Sequence, residues 1–290
     1  MKITVTKSAG FCFGVKRAIK IALDAVAAGK QVEMLDDIVH NEEVVKQIGE
    51  SGIKKVSSLS PGKDKTFLIR AHGTGKSSIE KAVKLGYTVV DATCPMVKEI
   101  HRIVEEMEQQ GYNIIIIGDK EHDEVQGIKG QVQSKALIID NREHIPLDAV
   151  KKIERAAVVV QSTQTLENVH EILEVLKLYI KELKFFNTIC KPTRTRQKEI
   201  KTLPLENDVV FIIGSKTSAN TKRLYEISKS LNCKSYWIQS KDDIKPEWFE
   251  DAKNVGITAG ASTPGPTIKS VVKYLKKFQA IYSSEVPYSP

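Results

Sequence analysis

Short apolar runs alternate with amphipathic segments along the chain. Nine of these runs have the length and the β-branched content of strands: QVEMLDDIV, KTFLIRA, YTVVDA, YNIIIIG, KALIID, AAVVVQ, DVVFIIG, KSYWIQ and NVGITAG. The segments between them carry apolar residues at helical spacing, as in VKRAIKIALDAVAAG. Strands that alternate with helices predict βαβ units and parallel sheets, so the sequence predicts an α/β fold.

Three stretches of the sequence are similar to one another when they are aligned on cysteines. Each places a cysteine before a basic residue and the start of a helix: Cys12 in GFCFGVKRAI, Cys94 in DATCPMVKEI and Cys190 in NTICKPTRTRQKEI. Each cysteine is followed, 28 or 30 residues later, by a polar residue behind an apolar run: His40, His122 and Asn220. The repeats predict three related α/β units at residues 1–95, 96–191 and 192–281, with a polar tail at 282–290. The first unit would begin with the strand that leads to Cys12.

A second step from strand to loop closes each of these units. Its polar residues are His72 in LIRAHGTGKSS, Ser162 and Thr163 in VVVQSTQT, and Ser262 in GITAGAST. Ligands of open α/β sheets bind outside the carboxyl ends of the strands. Units related by a pseudo-threefold axis would bring these ends, and the three cysteines with them, to one centre.

Three converging thiolates suit a metal site. They could hold zinc with an open fourth position, or a cubane iron–sulfur cluster in which one iron has no protein ligand, and the spacing does not distinguish the two. The absence of any CxxC pair disfavours a structural zinc finger. Cys233, in LNCKSYWIQ, has a different context and is expected to pack as a small buried hydrophobic residue.

Polar side chains near the predicted centre suit a phosphate or diphosphate, because they offer several donors to negatively charged oxygens. They are His40, His72, His122, Ser162, Thr163, Thr193, Ser218, Asn220 and Ser262. Glu124 has two interpretations: it stabilises the first turn of a helix, or it delivers protons inside a closed site. The other histidines, His101, His144 and His170, are expected to be structural or surface residues.

Composition and charge narrow the class of protein. The chain has 290 residues and a net charge of +8, but its lysines are interleaved with glutamates, so nucleic-acid binding is not favoured. Four scattered cysteines do not form a disulfide scaffold, and no secretion signal or membrane span is recognised. We therefore predict a cytoplasmic protein with reduced thiols and no membrane partner. GTGKSS is not a P-loop, because Arg70 stands where the first glycine would be, and GFCFG is not a dinucleotide-binding motif.

The combined motifs resemble the 4-hydroxy-3-methylbut-2-enyl diphosphate reductase family, whose members catalyse the last step of the non-mevalonate isoprenoid pathway. The matching stretches are, in order, GFCFGVKRA, VHNEEVV, RAHG, DATCP, HDEVQG, IC before TRQ, GSKTSANTKRL and TAGAS. They extend over about residues 1–281.

The resemblance implies a trefoil-like arrangement of three α/β units around a [4Fe-4S] cluster, whose open iron binds the substrate hydroxyl. The implied cluster ligands are Cys12, Cys94 and Cys190. The implied diphosphate ligands are His40, His72, His122, Ser218, Asn220 and Ser262, with Thr193 as a further candidate. Glu124 would deliver protons together with Ser162 or Thr163.

The implied reaction is a reductive dehydroxylation. Two electrons and two protons enter, water leaves, and isopentenyl and dimethylallyl diphosphates form. The implied electron donor is a ferredoxin or a flavodoxin.

The sequence departs from the family pattern near three of these residues. Asp123 stands where many members have proline, Ala219 where a second serine is common, and Ser162 where threonine is usual. Asp123 therefore lacks the rigidity that proline would give before Glu124, Ala219 removes one phosphate donor, and Ser162 keeps a hydroxyl. Phe11 and Phe13, on either side of Cys12, are expected to exclude water from the centre.

Two other functions are open to a protein with such a centre. A quinolinate-synthase-like dehydratase would need groups that bind carboxylates, and a non-catalytic iron–sulfur sensor would bind nucleic acid through its positive charge. The set of serine, histidine and asparagine side chains favours the diphosphate reductase over both.

Overall fold

The computed structural model describes residues 1–284, and the side chains of residues 1–278. The strands are β1 (Lys2–Val5), β2 (Gln31–Met34), β3 (Lys54–Lys55), β4 (Lys65–Ile69), β5 (Thr88–Asp91), β6 (Asn113–Ile117), β7 (Leu137–Ile139), β8 (Arg155–Val160), β9 (Glu182–Phe185), β10 (Val209–Ile213), β11 (Ser235–Ile238) and β12 (Asn254–Ala259). The helices are α1 (Phe13–Ala27), α2 (Glu42–Glu50), α3 (Lys76–Lys84), α4 (Pro95–Gln109), α5 (Asp123–Lys129), α6 (Leu147–Val150), α7 (Leu166–Tyr179), α8 (Lys191–Thr202), α9 (Ala219–Leu231) and α10 (Gly265–Ser284).

The alternation of strands and helices is confirmed. Each of the nine predicted apolar runs contains a strand, and the predicted first helix is α1. Two short edge strands, β3 and β9, are not predicted, because neither contains an apolar run. The predicted tail at residues 282–290 overlaps the end of α10 as far as Ser284, and residues 285–290 lie outside the described part of the chain.

The strands form three four-stranded sheets, and every pairing between neighbouring strands is parallel. Sheet A has the order β1-β12-β10-β11, sheet B the order β5-β4-β2-β3, and sheet C the order β9-β8-β6-β7. The three sheets therefore share one topology, in which the first strand of each βαβ unit lies between the second and the third. This confirms the α/β fold class with three related sheets.

The N-terminal strand belongs to the last sheet. β1 pairs with β12 from Lys2 opposite Asn254 to Val5 opposite Ile257, and it takes the edge position that β5 and β9 take in sheets B and C. The other strands of sheets B, C and A lie in order in three successive parts of the chain, residues 31–91, 113–185 and 209–259. This strand is the exception, because its partner is at the far end of the sequence.

The chain forms two compact units. One contains residues 1–12, 40–43 and 194 onward, with sheet A, and the other contains residues 13–39 and 44–193, with sheets B and C. Among the described residues, no helix combines the length and the apolarity that spanning a membrane requires.

Sheet C shows why the apolar runs are continuous. Ile115 and Ile117 of β6 pack into one buried cluster with α7, whereas Ile114 and Ile116 pack into another with α4. A parallel sheet covered by helices on both faces requires apolar residues at successive positions, not at alternate ones. The run NIIII therefore reports a buried central strand.

Two glycines allow a helix of sheet B to touch a helix of sheet C. Gly75 precedes α3, and Gly130 follows α5. The Lys76 amide donates to the Gly130 carbonyl at 3.0 Å, and a Cβ atom on Gly130 would come within 2.6 Å of the Gly75 Cα. Only glycine at position 130 allows this backbone contact.

We predict that Gly130→Ala lowers the free energy of unfolding by about 1–3 kcal/mol, because the methyl group must push two backbones apart. Gly49→Ala is the matched control, since no atom lies within 4 Å of a Cβ there and Gly49 is inside α2. The control should be neutral or stabilising by up to about 1 kcal/mol. Chemical denaturation of both variants measures this, and equal effects would contradict the assignment of the contact.

Candidate active site

The three cysteines of the sequence repeats have the same backbone setting. Each directly precedes a helix, and each donates its amide to a carbonyl two residues beyond the end of a strand in the corresponding sheet. The pairs are Cys12 to Ala261 after β12 at 3.1 Å, Cys94 to Ala71 after β4 at 2.9 Å, and Cys190 to Ser162 after β8 at 3.0 Å. The structure thus gives the repeats a common geometry, in which a cysteine adjoins the polar step that follows a central strand.

The cysteine side chains fall into two groups. Cys12, Cys94 and Cys190 are half-buried, and the Cys190 Sγ makes a 3.1 Å hydrogen bond with the hydroxyl of buried Thr193. Cys233 is exposed, so the expectation that it packs as a buried hydrophobic residue is wrong. It lies in the turn between α9 and β11, outside the buried apolar cluster of sheet A.

Glu124 meets Ser162 inside the second compact unit. The Glu124 side chain is 2 % exposed, and its carboxylate accepts the Ser162 amide at 2.5 Å and the Ser162 hydroxyl at 2.8 Å. The Thr163 hydroxyl accepts instead from the Gln161 side chain at 3.0 Å. Of the two hydroxyls predicted beside Glu124, it is therefore the one at position 162 that contacts the carboxylate.

Glu124 also lies in the first turn of α5, as its other interpretation requires. His122 is the N-cap of this helix, and its Nδ1 accepts the Glu124 amide at 3.1 Å. The rings of His122 and His72 meet edge to face, with centroids 5.6 Å apart. Backbone and side chain of Glu124 thus join the helix start to Ser162, and the two interpretations are compatible.

These contacts form one connected set within the second compact unit. The Ser162 carbonyl accepts the Cys190 amide, and the Ser162 hydroxyl donates to Glu124. The Glu124 amide donates to the His122 ring, which meets the His72 ring edge to face. The carbonyl of Ala71, next to His72, accepts the Cys94 amide. The backbone segments that carry these titratable, hydroxyl and cysteine residues are therefore joined through sheets B and C.

The first compact unit contains a smaller set of the same kind. The Ser262 hydroxyl donates to the His40 carbonyl at 2.8 Å. Ser262 directly follows Ala261, whose carbonyl accepts the Cys12 amide. Ser218 is the N-cap of α9, with its hydroxyl accepting the Thr221 amide at 3.3 Å, and Asn220 is buried in the first turn. Ser218 and Asn220 therefore lie at the positive end of a helix dipole.

Two arginines that the sequence left unassigned hold the loops before cysteines. The Arg17 guanidinium donates to the Thr93 carbonyl at 3.0 Å, and buried Arg196 donates to the Gly10 carbonyl at 2.5 Å. Each lies on a helix that follows one cysteine and holds the loop that leads to another. Both arginines lie within sequence motifs, GFCFGVKRA and KPTRTRQ, but the loops that they hold are visible only in the structure.

Two expectations about neighbouring aromatic and histidine residues have different outcomes. Phe13 is 70 % exposed, so the expectation that it excludes water is wrong, whereas Phe11 is half-buried. Burial lowers the pKa of His101 to about 4, so its ring is neutral at physiological pH. It packs against Gly73, where a Cβ atom would come within 2.7 Å of the ring, which agrees with a structural role.

Comparison with known proteins gives a consistent result. A family model described as LytB protein matches residues 3–276. The 4-hydroxy-3-methylbut-2-enyl diphosphate reductase of Geotalea uraniireducens is 38 % identical over 277 residues, which cover 96 % of this chain and 98 % of that protein. The enzyme of the same name from Aquifex aeolicus is 40 % identical over 273 residues, which cover 93 % and 94 % of the two chains.

Solved structures agree with the fold. A structure of (E)-4-hydroxy-3-methyl-but-2-enyl diphosphate reductase, described as the terminal enzyme of the non-mevalonate pathway, matches with a TM-score of 0.71 and 39 % identity over 96 % of this chain and 100 % of that one. A Plasmodium falciparum E-1-hydroxy-2-methyl-but-2-enyl-4-diphosphate reductase matches with a TM-score of 0.85 and 25 % identity over 95 % and 87 % of the two chains. The chain therefore belongs to the LytB family of 4-hydroxy-3-methylbut-2-enyl diphosphate reductases, and it is an oxidoreductase.

Proposed function

We propose that the protein converts (E)-4-hydroxy-3-methylbut-2-enyl diphosphate into isopentenyl and dimethylallyl diphosphates by reductive dehydroxylation. The observation that carries this proposal is the buried contact of Glu124 with Ser162. The Ser162 carbonyl accepts the Cys190 amide, and Glu124 follows His122, whose ring meets the His72 ring, by two residues. Reduction with loss of a hydroxyl needs electrons, protons and a site for a charged diphosphate. Family membership supports the substrate, and the residues below supply these three requirements.

The cysteines fit an iron–sulfur cluster. Cys12, Cys94 and Cys190 each stand directly before a helix, where the partial positive charge of the helix end attracts a negatively charged cluster. No acidic residue lies in the first turn of α1, α4 or α8 to oppose that charge. Three such sulfurs suit a [4Fe-4S] cluster with one iron left for substrate. When bound, this cluster would supply electrons and a Lewis-acidic iron for the substrate hydroxyl.

Glu124 and Ser162 supply the protons. A carboxyl group removed from water can give a proton only to a group that it contacts, and the Ser162 hydroxyl is such a group for Glu124. A hydroxyl both accepts and donates, so Ser162 can pass the proton on while its own bond to Glu124 reforms. Enclosure of this pair protects reactive species from protons of bulk water.

Histidine, hydroxyl and amide side chains bind the diphosphate. The proposed ligands are His40, His72, His122, Thr193, Ser218, Asn220 and Ser262. Histidine rings and hydroxyls donate to phosphate oxygens, and the start of α9 adds helix-dipole attraction beside Ser218 and Asn220. This donor set suits two phosphate groups better than the carboxylates of a quinolinate-type substrate.

Electrons come from an acidic electron-carrier protein of the ferredoxin or flavodoxin kind. The sequence has no dinucleotide-binding motif for a nicotinamide or flavin cofactor. The first two turns of α1, directly after Cys12, expose Phe13 together with Lys16 and Lys20 and contain no acidic residue. An exposed aromatic ring with flanking lysines has the chemistry to dock an acidic partner next to a proposed cluster ligand.

The cluster is tested by anaerobic purification, iron and sulfide analysis, and EPR of the reduced protein with and without the hydroxylated diphosphate. We expect a four-iron signal that changes when the diphosphate binds. Cys12→Ser should lose cluster and activity together, whereas Cys233→Ser, at an exposed thiol outside the repeats, should keep both. A zinc content, a signal indifferent to the diphosphate, or a fully loaded Cys12→Ser variant would contradict the proposal.

Glu124→Gln tests proton delivery. This change keeps the size of the side chain and an oxygen that can accept the Ser162 amide, and its NH2 group can donate to the Ser162 hydroxyl, but it removes the titratable proton, so turnover should fall by at least about 100-fold. Cluster content and diphosphate affinity should be retained. Glu121→Gln, at a nearby exposed acid, is the control and should be normal. Near-normal turnover in Glu124→Gln would leave Glu124 with its helix-start role alone.

Phe13→Ala tests the docking of the electron carrier. Turnover driven by a reduced acidic ferredoxin should fall about tenfold through weaker binding, and turnover driven by dithionite should not change. Leu178→Ala is the matched control, because Leu178 is 77 % exposed on α7 and lies outside the basic face of α1. Equal ferredoxin affinity for the two variants, measured by titration calorimetry at low salt, would contradict this docking site.

A further inference from the structure

Arg70 joins two segments that carry proposed active-site residues. It follows β4, and its side chain is 11 % exposed. Its Nη1 lies 2.5 Å from an Asp123 carboxylate oxygen and 3.2 Å from an Asp36 carboxylate oxygen, and its Nε donates to the Gly73 carbonyl at 3.4 Å. Asp123 is the first residue of α5, between His122 and Glu124. One guanidinium therefore bridges the turn that holds His72 and the helix start that holds Glu124.

The other end of α5 is attached to the same part of sheet B. Residues 70–76, the segment from Arg70 to Lys76, contact the helix along its length. The Lys76 amide donates to the Gly130 carbonyl at 3.0 Å, and the Gln131 side chain donates to the Thr74 carbonyl at 2.8 Å. The midpoint Gly127 faces the His72 carbonyl, which a Cβ atom would approach to 3.4 Å. The 70–76 segment is thus a cradle for α5.

A helix this short needs such a cradle. α5 has 7 residues, which is well below the length at which an isolated helix persists in water. Its position is therefore set by tertiary contacts, among them the burial of Val125 and Ile128 in the apolar cluster with α4. The polar contacts at its carboxyl end are between neutral groups, whereas its amino end adds an ion pair, one residue from Glu124, to the ring contact of His122 with His72.

The two carboxylate partners of Arg70, Asp123 and Asp36, differ in their exposure to solvent and in their attachment to α5. Asp123 is 31 % exposed and Asp36 is 53 % exposed, so solvent screens the pair with Asp36 more strongly. Asp36 follows β2 and makes no attachment to α5. A negative charge at the first position of a helix is also favoured by the helix dipole. Asp123 thus gains two electrostatic attractions where proline, common here in the family, would act by restricting the backbone.

We infer that the Arg70–Asp123 ion pair is a positioning element that holds the Glu124 carboxylate against Ser162. The inference rests on the proposed proton-delivery role of Glu124. Loss of the pair weakens the attachment of the amino end of α5 to the cradle, leaving the ring contact of His122 with His72, and the carboxylate then shifts from the Ser162 amide and hydroxyl. Arg70 and Asp123 act through Glu124 and do not themselves contact the reacting groups.

The test compares Asp123→Asn, Arg70→Gln and their double variant with Asp36→Asn as the matched control. The control removes a carboxylate from the same arginine without touching α5. We expect Asp123→Asn and Arg70→Gln to lower kcat by about tenfold each, since a misplacement of about 1 Å can cost up to about 100-fold. The double variant should match the single ones within about twofold, because both changes break one interaction. Asp36→Asn should retain the normal kcat.

Amide hydrogen exchange gives a readout that does not depend on turnover. The Ser162 amide donates to Glu124, so its protection in the cluster-loaded enzyme reports the position of that carboxylate. Exchange of the peptide around Ser162 should accelerate in Asp123→Asn and Arg70→Gln, with no change in the strands of sheet C, and it should be normal in Asp36→Asn. Acceleration throughout the sheet would indicate general destabilisation and would overturn the inference.

Two further outcomes would also overturn it. The first is that the losses of kcat in the two single variants multiply in the double variant. The second is that Asp123→Asn and Asp36→Asn behave equally in both measurements. The inference and the proposed function fail in different ways. If Glu124→Gln has normal turnover, the proton-delivery role fails, whereas the exchange of Ser162 still decides whether the ion pair positions Glu124.

Discussion

The backbone hydrogen bond from each repeat cysteine to the loop beyond a central strand is the constraint on which the rest of the site depends. It occurs once with each sheet, to Ala261, Ala71 and Ser162, always two residues beyond the strand end. A helix begins directly after each cysteine, so the same bond fixes the direction in which that helix leaves the sheet. It also brings the thiol next to the polar residues of the loop. A parallel sheet supplies the loop position because its strands all end at one edge.

Within this frame, the chemistry of the second compact unit is concentrated on a very short helix. α5 contributes His122 and Glu124, and both its ends are attached to residues 70–76 of sheet B. Its amino end combines an N-cap histidine, an ion pair and a buried carboxylate within three residues. The helix can hold these groups in place because two glycines allow its carboxyl end to touch the backbone of sheet B. Packing and electrostatics therefore act at opposite ends of one element.

Charge has a different role on α1 and around the other cysteine-led helices. Their first turns lack acidic residues, although acidic residues are favoured there by the helix dipole. α5 and α7 have acidic first turns, whereas α3 and α9, which no cysteine precedes, lack them too. A first turn without acidic residues leaves the partial positive charge of the helix end uncompensated beside each cysteine, which is compatible with the anionic cluster proposed above.

The α/β class, nearly all the strands and the three cysteine contexts can be predicted from the residue order. Apolar runs such as NIIII depend on local burial on both faces of a sheet, and the repeats depend on residue order, so both are visible without a structure. Four features are visible in the folded chain alone: β1 completes sheet A, Phe13 and Cys233 are exposed, Ser162, and not Thr163, contacts Glu124, and Asp123 pairs with Arg70. Pairing of an edge strand, exposure of one side chain and choice of an ion-pair partner depend on residues distant in sequence, and no local pattern records them.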